Sequence, residues 1–548
     1  MKTGPYIRCH VRSPLAICIA ACFAVLAPSA TAQSTDWTHL AGSPQRLAAA
    51  GSDLPSLSNA LWTQTLDPAG NTIEFTPQTG VVGAGGKIYV TGTVSPAMGQ
   101  ANQPRLFCFD ALSGTPLWAV PVGAVAGESF ATPCIDLRNG TVLHGSNRSL
   151  VAYDMVTGAV RWSRQLTRTI VNASPLVTDD RGSRNRCFIT DYDGFGSSAK
   201  LYCINIDPFN AALNPYLPGQ IVWSAPIQGA AGNSPAYIPN SKGGTGLVYV
   251  SSAGSYLAGT PGSVYAFAID SVGTPSPAWV APSPDLNGFF GGVSAVGSED
   301  DSGGAIFAAT YNFFGGLDSA TLVKLDATSG ELIWSTPCNR TSSIPIPLSC
   351  NRVLLSSGFS GSGSALSLEL FEDEGDHAHR LWNSALSTWV DADEDGTIDL
   401  DEYIPLGGYS VQPAVRVSGH SVKVLCGVGS ISELTTEPSN GLFVLDLDHT
   451  PSEPQFFEGF STGAGSTPAV VGGLIYSVGA LGLRAFGTLP PAYDVDEDGW
   501  VTIGDLYAWE QGRGRRDVDQ NGAATSSDRA LLISELRKQE RVDLGVTR

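Results

Sequence analysis

One hairpin is written three times in nearly the same words: FDALSGTPLW from Phe109, YDMVTGAVRW from Tyr153 and LDATSGELIW from Leu325. Asp110, Asp154 or Asp326 is followed three residues later by Ser or Thr, then directly by Gly114, Gly158 or Gly330. Trp118, Trp162 or Trp334 lies four residues beyond that glycine. A short polar loop ending in Gly between two apolar runs is hairpin chemistry. Asp and Ser/Thr side chains bond nearby backbone groups, and Gly takes positive φ without a Cβ clash. The Trp opens the return strand, where its apolar surface can be wedged against a neighbouring unit. Self-similarity at fixed spacing decides the architecture before any local reading does.

The strand preceding each hairpin recurs as a β-branched and aromatic run: KIYVTG at Lys87, TVLHGS at Thr141, RCFITD at Arg186, LVYVSS at Leu247, AIFAAT at Ala305, RVLLSS at Arg352, VKVLCG at Val422 and LIYSVG at Leu474. A Ser/Thr-Pro or similar step stands upstream of most, at Pro77, Pro133, Pro175, Pro235, Pro345, Pro413 and Pro468, where Pro fits the first position of a strand. In weaker copies the outgoing strand ends at Asp207, Asp270 or Asp448 and returns from Gly219, from Trp279 or as QFFEGF, and one more return strand opens at Leu381-Trp382. The count is about eight four-stranded units over residues 60–488, which predicts an all-β, eight-bladed antiparallel β-propeller. Its last unit runs out after three strands. ALWTQTL from Ala60 is a return strand without a hairpin, so pairing the two ends closes the ring and leaves no open edge at the seam. Gly 63 and Pro 35 suit many tight turns, and 43% hydrophobic residues suffice for a packed core.

The Asp-x-x-[Ser/Thr]-Gly-x-x-x-Trp hairpin after an alternating strand resembles the repeat of the pyrroloquinoline-quinone (PQQ)-like propellers. These include quinoprotein dehydrogenases and the propeller lipoprotein of the outer-membrane assembly machine. The resemblance is specific for the fold and says little about function.

Between Trp389 and Tyr403 lies DADEDGTIDLDE, an EF-hand-type loop: Asp391, Asp393, Asp395, Thr397 through its carbonyl, Asp399 and Glu402 are the candidate calcium ligands, with Gly396 at the sharp turn. Carboxylates at alternate positions of a coiled loop converge on one point, and so many like charges repel without a cation. This loop, 391–402, is expected as an insertion between two blades. After Pro490-Pro491 two more loops follow. The first offers Asp494, Asp496, Asp498, Trp500 by its carbonyl, Thr502 and Asp505. The second offers Asp517, Asp519, Asn521, Ala523 by its carbonyl, Thr525 and Asp528. Each leads into a helical pattern, DLYAWEQ and DRALLISELRKQE. Residues 492–540 therefore predict a small α-helical calcium-binding C-terminal domain, with 541–548 as a tail. This duplication resembles a type I dockerin, which implies a cohesin-like protein partner read by loop positions 10 and 11. Those positions are Ser526-Ser527 in the second loop, as in that family, but Ile503-Gly504 in the first.

The N-terminus reads as an address. Arg8, His10 and Arg12 precede the apolar LAICIAACFAVLA, and Ala30-Thr31-Ala32 supplies a small-residue cleavage pattern. The expectation is a signal peptide over 1–32, cut after Ala32, for a secreted, periplasmic or cell-surface protein. A lipobox-like Ile19-Ala20-Ala21 before Cys22 is the alternative. Residues 33–59, rich in Ala, Ser and Gly, are expected to be a flexible arm. Beyond the signal no stretch is long and apolar enough to span a bilayer. In an exported chain the candidate disulfides are Cys187–Cys203 and Cys338–Cys350, against buried thiols. A net charge of −20 repels nucleic acid and anionic membranes and favours calcium.

A PQQ enzyme, by the resemblance, implies a vicinal Cys pair and cofactor-holding channel side chains, and no two cysteines are adjacent here. His377 and His379 form an H-x-H able to hold a transition metal. Beside Glu372, Asp373, Glu374 and Asp376, however, a solvated turn is the reading the sequence favours. Gly358, Gly361 and Gly363 open no helix, which argues against a phosphate cradle. Two functions stay open: an exported, non-catalytic interaction or scaffold protein attached through its tail, or a secreted quinoprotein-like or carbohydrate-active enzyme docked by it. Acidic and aromatic residues in the central funnel favour the enzyme, and a channel plugged by apolar side chains favours the scaffold.

Overall fold

The computed structural model describes residues 36–543 except 76–78, 95–101, 124–130, 194–195, 197, 231, 256–258, 298–303, 313–314, 349–350, 359–365, 387–405, 419–420, 428–440, 448–456, 466, 489–492, 497–500, 515 and 519–523. Eight antiparallel sheets follow one another along the chain. Each begins with a short inner strand: Val82–Ala84, Cys134–Asp136, Leu176–Val177, Ala236–Tyr237, Ser294–Val296, Ile346–Leu348, Ala414–Ser418 and Ala469–Val471. The second strands are the eight runs read from the sequence, nearly all of whose residues are buried because both sheet faces are covered. In blade 2 one element, Thr141–Asp154, serves as second and third strand. Its first part pairs with Cys134–Asp136 and its second with Val160–Ile170, and Asn147 at φ +49° marks the bend. In blade 1, Ile73–Phe75 adds to the second strand, Lys87–Val94.

The seam closes as the orphan strand predicts. Ala60–Gln64 pairs antiparallel with Gly482–Phe486, so the start of the ring supplies the outer strand of the last blade. Tyr476 of blade 8 donates its hydroxyl to Ala111 O of blade 1 across that seam.

The repeated hairpin carries the outer joint between blades. In all three copies one Asp oxygen accepts two backbone N–H groups and the Ser/Thr hydroxyl: Asp110 from Leu112, Ser113 and Ser113 Oγ; Asp154 from Val156, Thr157 and Thr157 Oγ1; Asp326 from Thr328, Ser329 and Ser329 Oγ. The Trp of one blade then lies on this turn of the next. Trp62 Nε1 donates to Ala111 O at 3.0 Å, Trp118 to Met155 O at 3.2 Å, Trp223 to Ile269 O at 3.1 Å and Trp279 to Ala327 O at 3.2 Å. The turn glycine serves twice. Gly158 has φ +70°, and a Cβ there would sit 2.9 Å from the Trp118 ring. The core lies in the same joints. Phe188, Leu201, Cys203 and Trp223 of blade 3, for example, form one cluster with Val248, Val250, Tyr265 and Phe267 of blade 4.

The Cys187–Cys203 pairing does not form. Cys187 sits opposite Ile204 and Cys203 opposite Phe188, so the two thiols, one residue out of register, point to opposite sheet faces and into different core clusters. Both are buried free thiols, as is Cys338, whose suggested partner Cys350 lies outside the described residues.

The tail carries two helices, α1 (Ile503–Glu510) and α2 (Ser526–Asp543), where the helical patterns stand. Among the described residues no helix is long and apolar enough to cross a membrane.

Trp118→Ala should lower the unfolding free energy by about 3–5 kcal/mol through the cavity it leaves. Gly158→Ala should cost about 1–2 kcal/mol for the left-handed backbone alone, before the steric conflict with Trp118. Urea unfolding midpoints check both, and a neutral Gly158→Ala would contradict the docking geometry.

Candidate functional site

The inner strand of every blade has one edge facing the central channel, where its backbone groups need partners. The N-terminal arm supplies them. Over its described residues, 36–59, it is not the flexible segment its composition suggests. Trp37, His39, Ala41, Arg46, Ala48, Ala50 and Leu57 are all buried. The arm passes the blades in chain order. Trp37 exchanges both backbone bonds with Gly83 of blade 1, at 2.9 and 3.0 Å. Thr38 O accepts from Ile135 N of blade 2, and His39 Nε2 from Val177 N of blade 3 at 3.1 Å. Pro44 O accepts from Tyr237 N of blade 4, Gln45 O from Ala295 N of blade 5, and Ala48 O from Val415 N of blade 7. These six residues hold the same place in the repeat, each one after the residue (Val82, Cys134, Leu176, Ala236, Ser294 or Ala414) that pairs with Tyr89, Leu143, Phe188, Tyr249, Phe307 or Leu425 of the second strand. In blade 6 that place is Pro347, which has no N–H to satisfy.

Arg46 locks the arm. Its guanidinium is fully buried and donates to four carbonyls: Leu40 and Pro235 at 3.0 Å, Pro175 at 2.9 Å and Ser174 at 3.3 Å. Burial lowers its pKa to about 10. Burial and the neighbouring Arg46 charge hold His39 well below the usual histidine range, so its neutral ring accepts the bond from Val177. Ala41, Arg46 and Ala48 all adopt φ between +52° and +62°. Such residues cost roughly 1–2 kcal/mol each and persist only where surrounding contacts over-determine them.

Three residues before that repeat position a second ring of bonds links blade to blade. Gly80 N donates to Thr132 Oγ1, Thr132 N to Ser174 Oγ, Ser174 N to Ser234 Oγ, Ile344 N to Gln412 Oε1, and Gln412 N to Thr467 Oγ1, all at 2.9–3.1 Å. In the Ser/Thr-Pro step the proline is the visible sequence signal. The hydroxyl beside it makes the joint.

The connections leading into the inner strands of blades 5, 6 and 7 and the loop after the second strand of blade 5 bring aromatic groups together with a cation. Phe290 and Tyr311 lie 4.9 Å apart, Tyr311 meets Tyr409 edge-on at 6.2 Å, and the buried Arg340 lies over Tyr311 at 5.5 Å.

In the first tail loop, ligand atoms of Asp494, Asp496 and Asp505 converge within 4.8 Å of one another, with Asp494 and Asp505 fully buried. Asp505 and Thr502 form a capping box on α1: Thr502 N donates to Asp505 Oδ2 at 2.6 Å and Gly504 N to Thr502 Oγ1 at 3.0 Å. The second loop repeats this, with Thr525 N donating to the buried Asp528 Oδ2 at 2.7 Å and Ser527 N to Thr525 Oγ1 at 3.2 Å. Val495 and Val518, both second in their loops, share a core with Trp509 and Leu532. Three carboxylates brought this close, two without solvent, are a donor set that fits a hard divalent cation. Asp517, at the start of the second loop, is half-buried. Asp391, Asp393, Asp395, Thr397, Asp399, Glu402, Asp498, Trp500, Asp519, Asn521 and Ala523 lie outside the described residues, as do the signal peptide and Cys22.

The fold defines the class: an eight-bladed antiparallel β-propeller. Residues 56–236 match the sequence family described as outer membrane protein assembly factor BamB. Among solved structures, the quinohemoprotein alcohol dehydrogenase ADHIIG from Pseudomonas putida HK5 is 12% identical, with 82% of this chain and 76% of that chain covered and a TM-score of 0.50. Europium-containing methanol dehydrogenase is 10% identical, with 86% and 93% covered and a TM-score of 0.51. BamB from Moraxella catarrhalis is 14% identical, with 78% and 96% covered and a TM-score of 0.43. No curated protein matches this chain. Likeness at these identities shows the fold alone. At the level of the inner strands the arm takes a backbone N–H in six blades.

Arg46→Met should leave four buried carbonyls unpaired and cost about 3 kcal/mol or more, with the arm becoming open to limited proteolysis. His144, buried in blade 2 with no partner for Nδ1 among the described residues, has its pKa lowered by burial to about 4. Its folded value lies below the unfolded ~6.5, so its contribution is present above pH ~6.5 and lost as pH falls toward 4. Between about pH 7 and 4 the stability difference between wild type and His144→Leu should therefore shift by about 3 kcal/mol against the wild type. Urea unfolding across that range measures it.

Proposed function

We propose that this chain is an exported, non-catalytic interaction platform: a propeller whose channel is closed by its own arm, joined to a calcium-binding tail that attaches it to a protein partner. The observation that carries this reading is the arm on the inner strands, since a plugged channel favours a scaffold over a catalyst. The likeness of residues 56–236 to an assembly factor family is consistent with a role through protein contacts.

In this reading the tail holds calcium through Asp494, Asp496, Asp498, the Trp500 carbonyl, Thr502 and Asp505, and through Asp517, Asp519, Asn521, the Ala523 carbonyl, Thr525 and Asp528. A third ion is held in the insertion by Asp391, Asp393, Asp395, the Thr397 carbonyl, Asp399 and Glu402. The buried Asp494 and Asp505 support this, because carboxylates without solvent need a compensating charge. So does the tail's small core of four buried apolar side chains, Val495, Trp509, Val518 and Leu532, which makes metal binding a natural part of its folding free energy. The partner is of the cohesin type, met at the N-terminal ends of α1 and α2.

The second reading is a quinoprotein-like or carbohydrate-active enzyme. Phe290, Tyr311, Tyr409 and Arg340 favour it, as aromatic faces beside a cation suit a planar or sugar ligand.

Calcium titration of the full chain should show about three sites in the 10⁻⁴–10⁻³ M range, with one lost in Asp505→Asn and another in Asp528→Asn. Chelator should reduce helix while the propeller's β signal persists. A calcium-dependent partner captured from the native culture by the wild type but not by Asp505→Asn would support the platform. Quinone-dependent dye reduction after reconstitution with PQQ would overturn it in favour of the enzyme.

A further inference from the structure

We propose that the hairpin tip of blade 6 is a binding site for a borderline divalent transition ion of the zinc and copper class, held by Glu372, Glu374, His377 and His379. This site uses none of the residues assigned to the acidic loops.

The hairpin joins Ser367–Asp373 to Ala378–Asn383. Glu372 is the register partner of His379 and Asp373 that of Ala378, and Glu374 N closes the turn on His377 O at 3.0 Å. Strand side chains alternate between faces, so Glu372 and Glu374 on one strand and His377 and His379 on the other stand on one face. Asp373, between the two glutamates, points the other way. It accepts from Trp334 Nε1 at 2.9 Å and Lys324 Nζ at 2.7 Å, which anchors the hairpin to blade 5. One face of the tip is thus pinned to the ring, and the opposite face presents two imidazoles and two carboxylates to solvent.

Their donor atoms are already gathered. His379 Nδ1 lies 2.9 Å from Glu374 Oε1, His377 Nε2 lies 3.1 Å from Glu374 Oε2, and His379 Nε2 lies 3.7 Å from Glu372 Oε2. Ligand atoms of Glu372, Glu374 and His379 lie within 4.8 Å of one another. Four donors at about 2.0–2.1 Å from one zinc ion are roughly 3.4 Å apart, so small rotations of exposed side chains make the shell. His377 Nδ1 lies 2.8 Å from Asp376 Oδ1. A carboxylate that accepts the Nδ1–H hydrogen bond holds the proton on that nitrogen and leaves Nε2 bare for the ion, the outer-shell arrangement common to metal-bound histidines.

The donor chemistry selects the ion. Two neutral imidazoles with two carboxylates form a neutral complex with a divalent cation. Imidazole nitrogen favours zinc or copper over calcium or magnesium, which take oxygen ligands. Four acidic residues, Glu372, Asp373, Glu374 and Asp376, lie within five positions and draw cations to the tip. A bound ion would cross-link the two strands at the tip.

The test uses the full chain in about 5 mM calcium, above the range expected for the acidic loops, so that those sites are filled. Zinc titrated by calorimetry should then report one site with a dissociation constant in the micromolar range. His377→Ala and His379→Ala should each weaken it by about 10–100-fold. The copper(II) form should show imidazole nitrogen couplings in its electron paramagnetic resonance spectrum, absent from the double variant. Zinc should raise the melting temperature of the wild type and not of the double variant. Both should melt together in chelator, because the substituted side chains are exposed. No zinc site tighter than about 1 mM, or equal zinc affinity in wild type and double variant, would overturn the proposal.

Discussion

Eight strands converge on one axis, and each arrives with an unpaired backbone edge. Water cannot fill a narrow channel and satisfy every N–H and carbonyl there without also opening the ring to ligands. This chain meets the constraint with its own backbone. The arm from Trp37 to Ala50 takes the free N–H of the same repeat position in six blades, and Pro347 removes the need in a seventh. The other features of the arm follow from that duty. Its path round a small circle forces Ala41, Arg46 and Ala48 into left-handed conformations, and the buried guanidinium holds the turn with four carbonyls.

The blades are joined at three radii, each by a different chemistry. Nearest the axis, side-chain oxygens of Thr132, Ser174, Ser234, Gln412 and Thr467 accept from the backbone of the preceding blade. Midway, tyrosines on second strands reach the next blade's turn, as Tyr89 does to Met155 O and Tyr249 to Ala327 O. At the rim the tryptophans stack on the turn glycines. Trp118 and Tyr89 share Met155 O, so one carbonyl receives both. Small blades with little core of their own are held by these repeated joints more than by their internal packing.

What was legible in the sequence was what repeats. The Asp, Ser/Thr, Gly and Trp spacing located the hairpins. The eight apolar runs located the second strands, and the orphan at Trp62 located the seam. The arm was not legible, because most of its contacts to the inner strands are made by backbone atoms and an Ala-, Gly- and Ser-rich string looks the same whether loose or threaded. Arg46 was the one signal available: a lone long cation in an apolar segment. The Cys187–Cys203 pairing failed because sequence proximity does not report register, and one residue of offset sends two side chains to opposite faces. In the tail, Asp494, Asp496 and Asp505 converge as loop spacing requires, since position twelve of such a loop caps the helix that follows. The hairpin histidines were visible, but their common face with Glu372 and Glu374 depends on a register that only pairing reveals.

The segment from Trp37 to Gln64 both threads the hub and supplies the outer strand of the last blade, which gives the molecule a folding order unlike its synthesis order. Asp53 meets Arg416 across 363 residues, and Ala111 meets Tyr476 across 365. Contacts of such sequence separation make assembly slow, because a long loop must close before they form. As the polypeptide emerges, early blades have no hub and the arm has no complete ring to enter. The ends of the chain act as a clasp: nothing latches until the eighth blade has emerged, and exposed inner edges are a hazard for chaperones to cover until then.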